Sequence, residues 1–155
     1  MSSREAVIAC LNDVREQITA AVAAMPESGW DASVYENGWN QRQLLYHIAS
    51  TSGVASFVLA MSKLPKQVGG EPFDNDAFNR DQVALREGRS PAEALDEIRS
   101  NIQRDIQAIE KASDDDLQRA WTAPWGMDGT VADIIVTSVD GHLGAHLNDL
   151  RDAAK

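Results

Sequence analysis

The chain carries three histidines, and two of them, His142 and His146, stand four residues apart in DGHLGAHLNDL. The third, His47, lies far upstream in WNQRQLLYHIAS. A helical turn takes about 3.6 residues, so the pair would leave one helix in the same direction. Two imidazoles on one face can hold a divalent cation if a third ligand arrives from another element. His47 sits on a second predicted helix and can supply it. Three imidazoles on one side of a metal leave positions open for water or substrate, the layout of a catalytic centre rather than a closed structural one. Leu143 follows His142 where a zinc protease of the HExxH type has Glu, so that chemistry is excluded. Each motif taken singly has an ordinary reading too. A histidine on an apolar helix face is commonly a hydrogen-bonded core or surface residue. Together they say more, because all three fall at inward or near-inward positions of long predicted helices. Gly141, Gly144 and Ala145 beside the pair leave room for a ligand or a close helix.

Three neutral imidazoles would leave the +2 charge of an ion uncompensated, and such an ion acidifies a bound water or thiol. No protein nucleophile is then required, and no Ser-His-Asp or Cys-His set remains once the histidines are ligands. Trp39, Tyr46, Trp121 and Trp125 are candidate walls of a pocket for an apolar or aromatic small molecule, with core packing as the competing role. Asp140 and Asp149 are candidates to orient the imidazoles, with simple solvation of a helix surface as the alternative. Cys10, beside an apolar stripe, reads as a small hydrophobe rather than a reactive thiol.

Positioning these groups requires helices, and the sequence marks them. The first opens at Ser2 with Glu5 as a capping-box partner and carries Val7, Leu11, Val14, Ile18, Ala21 and Met25 at three-four spacing before Pro26. The second starts at Asn40 with Gln43 in the reciprocal position, buries Leu44, Leu45, Ile48, Ala55, Val58 and Leu59, and exits at Lys63–Pro65. Gly53 within it permits a close neighbour at some cost in helix stability. A Pro- and Gly-bearing loop leads to a short helix over 74–87, stopped by Gly88. SPAE at 90–93 starts a third long helix with Leu95, Ile98, Ile102, Ile106 and Ile109. Ser113 caps a brief helical turn. Thr130, with Asp133 as its box partner, caps the last helix, where Val131, Ile135, Val139, His142, His146 and Leu150 share neighbouring surface. No alternating strand pattern occurs, so the expected class is all-α, a single domain over 1–155. The architecture is a four-helix bundle whose long connection between helices 2 and 3 contains a short extra helix, unlike a simple up-down-up-down bundle.

The formal charge of −10 and the lack of any Lys/Arg cluster with interleaved aromatics exclude nucleic acid as a partner. Apolar stretches are broken by charges, so no membrane span is expected, and the N-terminus lacks the apolar run of a signal peptide. One cysteine makes no internal disulfide, and the expected compartment is the cytoplasm.

GWNQRQLLYHIAS, WGMDGTVADII and HLGAHLNDL, in this order and spacing, resemble the DinB/YfiT-like metalloenzyme superfamily. DAFNRDQVALREGRSPAEALDEI is similar to the third-helix region of the branch that includes the mycothiol-dependent maleylpyruvate isomerase metal-binding domain. The resemblance covers essentially the whole chain. It implies a four-helix bundle with a divalent metal held by His47, His142 and His146. It also implies a low-molecular-weight thiol such as mycothiol or bacillithiol as cosubstrate, and a homodimer, which the supply of apolar helix faces also suits. The isomerase branch can carry Glu in place of the first histidine of the pair, and it has an additional C-terminal domain. Here His142 holds that position and the chain ends at Lys155, so maleylpyruvate isomerisation is not the expected reaction. The expected function is metal-dependent transfer of a thiol to a small-molecule substrate. The alternatives are hydrolysis at the same metal, and non-catalytic binding of a metal or small ligand. Zn²⁺, Ni²⁺, Mn²⁺ and Fe²⁺ all suit three imidazoles with open positions.

Overall fold

The computed structural model describes residues 2–32, 35, 37–66 and 73–155. Four long rods make the bundle, and each begins or breaks where a side chain takes up free backbone groups. The first rod is α1 (Arg4–Ala24), with Val7, Leu11, Val14, Ile18 and Ala21 buried. Ser3, rather than Ser2, caps it by accepting from the Ala6 N–H. Ser2 instead donates its backbone N–H to the Asp133 carboxylate at 2.6 Å, tying the start of the chain to the start of the last rod.

The second rod is α2 (Gln41–Thr51) followed by α3 (Val54–Ser62), where one helix was expected. Asn40 and Gln43 form the reciprocal capping box, at 2.9 and 3.1 Å. At the break, Ser50 and Thr51 hydroxyls donate to the His47 carbonyl and the Ser52 hydroxyl donates to that of Ala49. Hydroxyls bonded back onto a preceding turn bend helices, and the following Gly53, with its low helix propensity, suits a break. The N–H groups of Ala55 and Ser56 are taken by the Asp105 carboxylate, each at 3.0 Å. Among the described residues the close neighbour expected at Gly53 is absent, since none lies within 4 Å of where a Cβ would stand. Its role is to mark the break. Contrary to the expectation that charges interrupt every apolar stretch, Gln41–Ser62 is long and apolar enough by composition to cross a membrane. More than half of it is buried against the other rods, and the break falls in its middle, as suits the central helix of a bundle.

The connection carries α4 (Asn75–Ala84), capped by Asp74, which packs against α2. The third rod, α5 (Pro91–Lys111), starts at the Ser90–Glu93 box. It buries Ala94 where the sequence pointed to Leu95, then Ile98, Ile102, Asp105, Ile106 and Ile109. A short α6 (Asp114–Gln118), boxed by Ser113 and Asp116, leads to an antiparallel hairpin of β1 (Ala120–Thr122) and β2 (Asp128–Thr130). Strands of three residues are too short to show alternation, which is why the sequence did not reveal them. The class remains all-α. Thr130 caps α7 (Val131–Ser138), which passes through a wide π turn at Val139–Leu143 into α8 (Gly144–Ala153). The rods meet over Leu11, Ile18, Leu45, Ile48, Ile98, Ile102, Ile109, Ile134, Ile135 and Leu143, all at most 2 % exposed. Each such side chain contributes roughly 1.5–3 kcal/mol relative to solvent exposure.

Candidate metal centre

The last rod positions two of the three histidines, and the π turn decides how. Its core residues Val131, Ile135, Val139, Leu143 and Leu147 repeat at intervals of four. In a helix of 3.6 residues per turn such a row drifts by about 40° at each step. The wider turn at Val139–Leu143 draws Leu143 and Leu147 back over the core. His142 and His146 therefore do not belong to the core stripe, as the sequence suggested. Each precedes a buried leucine and lies along the edge facing α2. Single π turns inside α-helices recur at functional sites.

His47, on the buried side of α2, meets that edge and is only 3 % exposed. Its ring centroid lies 5.1 Å from that of His142 and 4.9 Å from that of His146, and the pair itself is 4.6 Å apart. The rings stand nearly edge-on to one another, at 77–88°. One ring nitrogen from each lies within 4.8 Å of the others, so the group could hold a metal ion. Metal–nitrogen bonds of about 2.1 Å set ligand atoms roughly 3–4 Å apart, and small side-chain rotations would close the set.

The electrostatics agree with that use. Burial and the facing imidazoles His146 and His142 push the His47 pKa down to about 3. His142 is brought to about 4 by desolvation and then by His146, although its exposed edge lets solvent temper the effect. His146 is also lowered by burial, against the opposing pull of Asp149. All three are thus neutral at pH 7, with a lone pair on each ring, as metal ligands must be. Among the described residues, Nδ1 of His47 and Nδ1 of His146 are buried without a hydrogen-bond partner. Asp149 comes to 3.5 Å from Nδ1 of His146, too long and too poorly aimed to satisfy it. Asp140 faces elsewhere: it accepts from the Cys10 thiol at 3.3 Å. Burial and that carboxylate push Cys10 up to about 12, so it is an inert thiol.

Of the four candidate wall residues, Trp39 joins the centre, its ring 5.2 Å from His47. Tyr46 is fully buried, its hydroxyl donating to the Arg89 carbonyl on the connection to α5. Trp121 and Trp125 meet edge to face at 6.2 Å, and Trp125 stacks on the exposed Phe57 of α3 at 6.3 Å. They form a second aromatic group, linked to the last rod where the Ser138 hydroxyl meets the Met127 sulfur, one turn before His142. Sequence reasoning missed Phe57 and Tyr35. Phe57 stood among apolar helix residues with nothing to set it apart. Tyr35 offered only its place in the Trp-rich loop before α2. Two shallow grooves elsewhere, one lined by Ser56, Lys63, Lys111 and Asp116 and one by Arg15, Arg99 and Arg104, contain none of the histidines. Neither brings metal-ligating groups together.

A family model described as the mycothiol maleylpyruvate isomerase N-terminal domain matches residues 11–151. The chain belongs to that family. As a member of the mycothiol maleylpyruvate isomerase N-terminal domain family, it also has two similar solved structures. One is YfiT from Bacillus subtilis, described as a probable metal-dependent hydrolase with an unusual four-helix bundle topology. It is 20 % identical with a TM-score of 0.71, over 98 % of this chain and 89 % of that one. The other is the mycothiol-dependent maleylpyruvate isomerase, 14 % identical with a TM-score of 0.71. That match covers 96 % of this chain but 61 % of the isomerase, which is the longer protein. No curated protein matches the chain. At these identities the structural likeness shows the fold, which is the DinB/YfiT-like bundle that the sequence motifs implied.

Proposed function

We propose that this protein is a metal-dependent enzyme acting on a small molecule, with the divalent ion held by His47, His142 and His146. The observation that carries the reading is the convergence of three neutral imidazoles, two of which keep a buried nitrogen that the protein itself does not satisfy. When bound, such an ion supplies Lewis acidity enough to make a coordinated thiol or water ionise near neutral pH. The chain's own residues do the rest. His47 is fixed by burial on α2, and its depressed pKa keeps the proton from competing for its lone pair. Trp39 covers the ring and excludes water from that side. His142, the most exposed of the three, borders the open edge by which a substrate would enter.

The proposed reaction is transfer of a low-molecular-weight thiol, of the mycothiol or bacillithiol kind, to an electrophile. Membership of the mycothiol isomerase domain family supports the thiol. Hydrolysis at the same centre is the second reading, favoured by the likeness to YfiT over nearly the whole of both chains. Incubating protein loaded with Zn²⁺, Ni²⁺, Mn²⁺ or Fe²⁺ with thiols and electrophiles, beside His47→Ala, separates the two. Thiol consumption that disappears in the variant is the expected result. Product formed without thiol would establish hydrolysis, and metal bound without turnover of any kind would leave a binding protein.

A further inference from the structure

Among the described residues, three buried side-chain polar atoms have no hydrogen-bond partner: Nδ1 of His47, Nδ1 of His146 and the hydroxyl of Tyr35. Buried polar groups in folded proteins are nearly always paired, so each exception calls for an explanation. Two of them belong to the imidazole group, and the third is connected to it through Trp39 and Asp149. The Tyr35 carbonyl accepts from the Gly38 N–H at 2.8 Å, and its own N–H donates to the Trp39 carbonyl at 3.3 Å. The Tyr35 backbone is therefore tied to that of Trp39, the residue whose ring is laid against His47. On the other side, the carboxylates of Asp149 and Asp152 on α8 are near enough to act on the Tyr35 phenol. Asp149 is also the residue 3.5 Å from the His146 ring. Trp39 and Asp149 thus connect the surroundings of the phenol with those of the imidazoles.

Burial, then those two carboxylates, push the Tyr35 phenol up to about 12. It is an O–H donor under all ordinary conditions, yet neither carboxylate takes its proton in a hydrogen bond. What the centre lacks is an acceptor. We propose that Tyr35 is a ligand-binding residue of the histidine centre, donating its O–H to a carbonyl or carboxylate oxygen of the small molecule bound there. This rests on the metal reading above and deepens it, because it names the substrate class: an electrophile or ester bearing an oxygen acceptor beside the reacting atom. A compound that could only donate hydrogen bonds would gain nothing from Tyr35.

The test uses Tyr35→Phe in the full chain, loaded with Zn²⁺, and two probes followed by calorimetry. Acetohydroxamate offers oxygen acceptors next to a metal. Imidazole, once bound to a metal through one nitrogen, offers only an N–H. The variant should bind Zn²⁺ with unchanged stoichiometry and bind imidazole as the parent does, but hold acetohydroxamate about tenfold more weakly. Its metal-free Tm should equal or exceed the parent's, since no internal hydrogen bond is lost. Equal acetohydroxamate affinity in parent and variant would overturn the proposal, as would equal weakening of both probes or a clear fall in metal-free Tm. Failure of the parent chain itself to bind Zn²⁺ would overturn the metal reading, and this inference with it.

Discussion

Two buried polar groups meet the second rod a few turns apart, His47 from within it and Asp105 from α5, and the fold treats them in opposite ways. At the break between α2 and α3, Asp105 is wholly buried yet fully engaged, accepting from Ala55, from the Ser56 N–H and from the Ser56 hydroxyl. Asn101 beside it donates to the Ser52 hydroxyl at 2.9 Å, which closes the network. Toward the other end, His47 is almost as deeply buried, but its Nδ1 meets no partner among the described residues, and the same holds for Nδ1 of His146 and the Tyr35 hydroxyl. A polar group closed by its own chain is part of the scaffold. Groups left open, on residue types that bind metals and donate protons, are where the proposed metal and substrate would complete the structure.

The largest expected contrast is in stability. Asp105→Ala strips the acceptor from two buried N–H groups and a hydroxyl and should lower unfolding free energy by about 3 kcal/mol or more, measured in urea. Asp105→Asn keeps one oxygen and should cost clearly less. If the two variants cost the same, the network does not act as a helix cap. His142→Ala reverses the pattern. His142 is exposed, so metal-free stability should change by no more than about 0.5 kcal/mol. Metal affinity should fall by at least about 100-fold, the upper end of what losing even an outer hydrogen bond to a ligand costs. Unchanged affinity would remove His142 from the ligand set.

Acid should act on the two groups with opposite sign. His47 has a folded pKa of about 3 against 6.5 for the free side chain, so the unfolded chain binds its proton first. Its contribution is intact above pH 6.5 and is lost as the pH falls toward 3. From His47 alone, the metal-free protein should lose about 2 kcal/mol by pH 5. Burial raises the Asp105 pKa against its hydrogen bonds, so the folded state takes up that proton more readily, which opposes the loss as acid is added. Urea titrations of the metal-free protein at several pH values check this. His47→Gln, which cannot titrate, should flatten the dependence between pH 6.5 and 5. The smallest effect is expected at Cys10, whose thiol is bonded to Asp140. Cys10→Ala should leave metal content unchanged and cost about 1 kcal/mol. In the parent chain the thiol, pushed up to about 12, should resist alkylation at pH 8. Rapid labelling of the native protein would contradict that.

Local signals in the sequence were enough for most of the helices. Three-four spacing of apolar residues predicts a buried stripe because a helix turns every 3.6 residues, and Asn40, Ser90, Ser113 and Thr130 each cap the helix they precede. The histidines were legible for the same reason, since residue type and a one-turn interval are properties of a short segment. What the tertiary structure alone decided depends on partners distant in the chain. The second rod breaks at Ser52 and Gly53 because Asp105, about fifty residues on, is placed to take the freed N–H groups. The last rod widens into a π turn because its core row at intervals of four must stay over a core built by the other rods. The sequence singled out Tyr46 as a candidate wall and passed over Tyr35. Only packing turned the Tyr46 hydroxyl toward the Arg89 carbonyl and left that of Tyr35 without a partner among the described residues. Helix propensity and capping act over a few residues and can be read along the chain, whereas the satisfaction of a buried polar atom depends on every element packed around it.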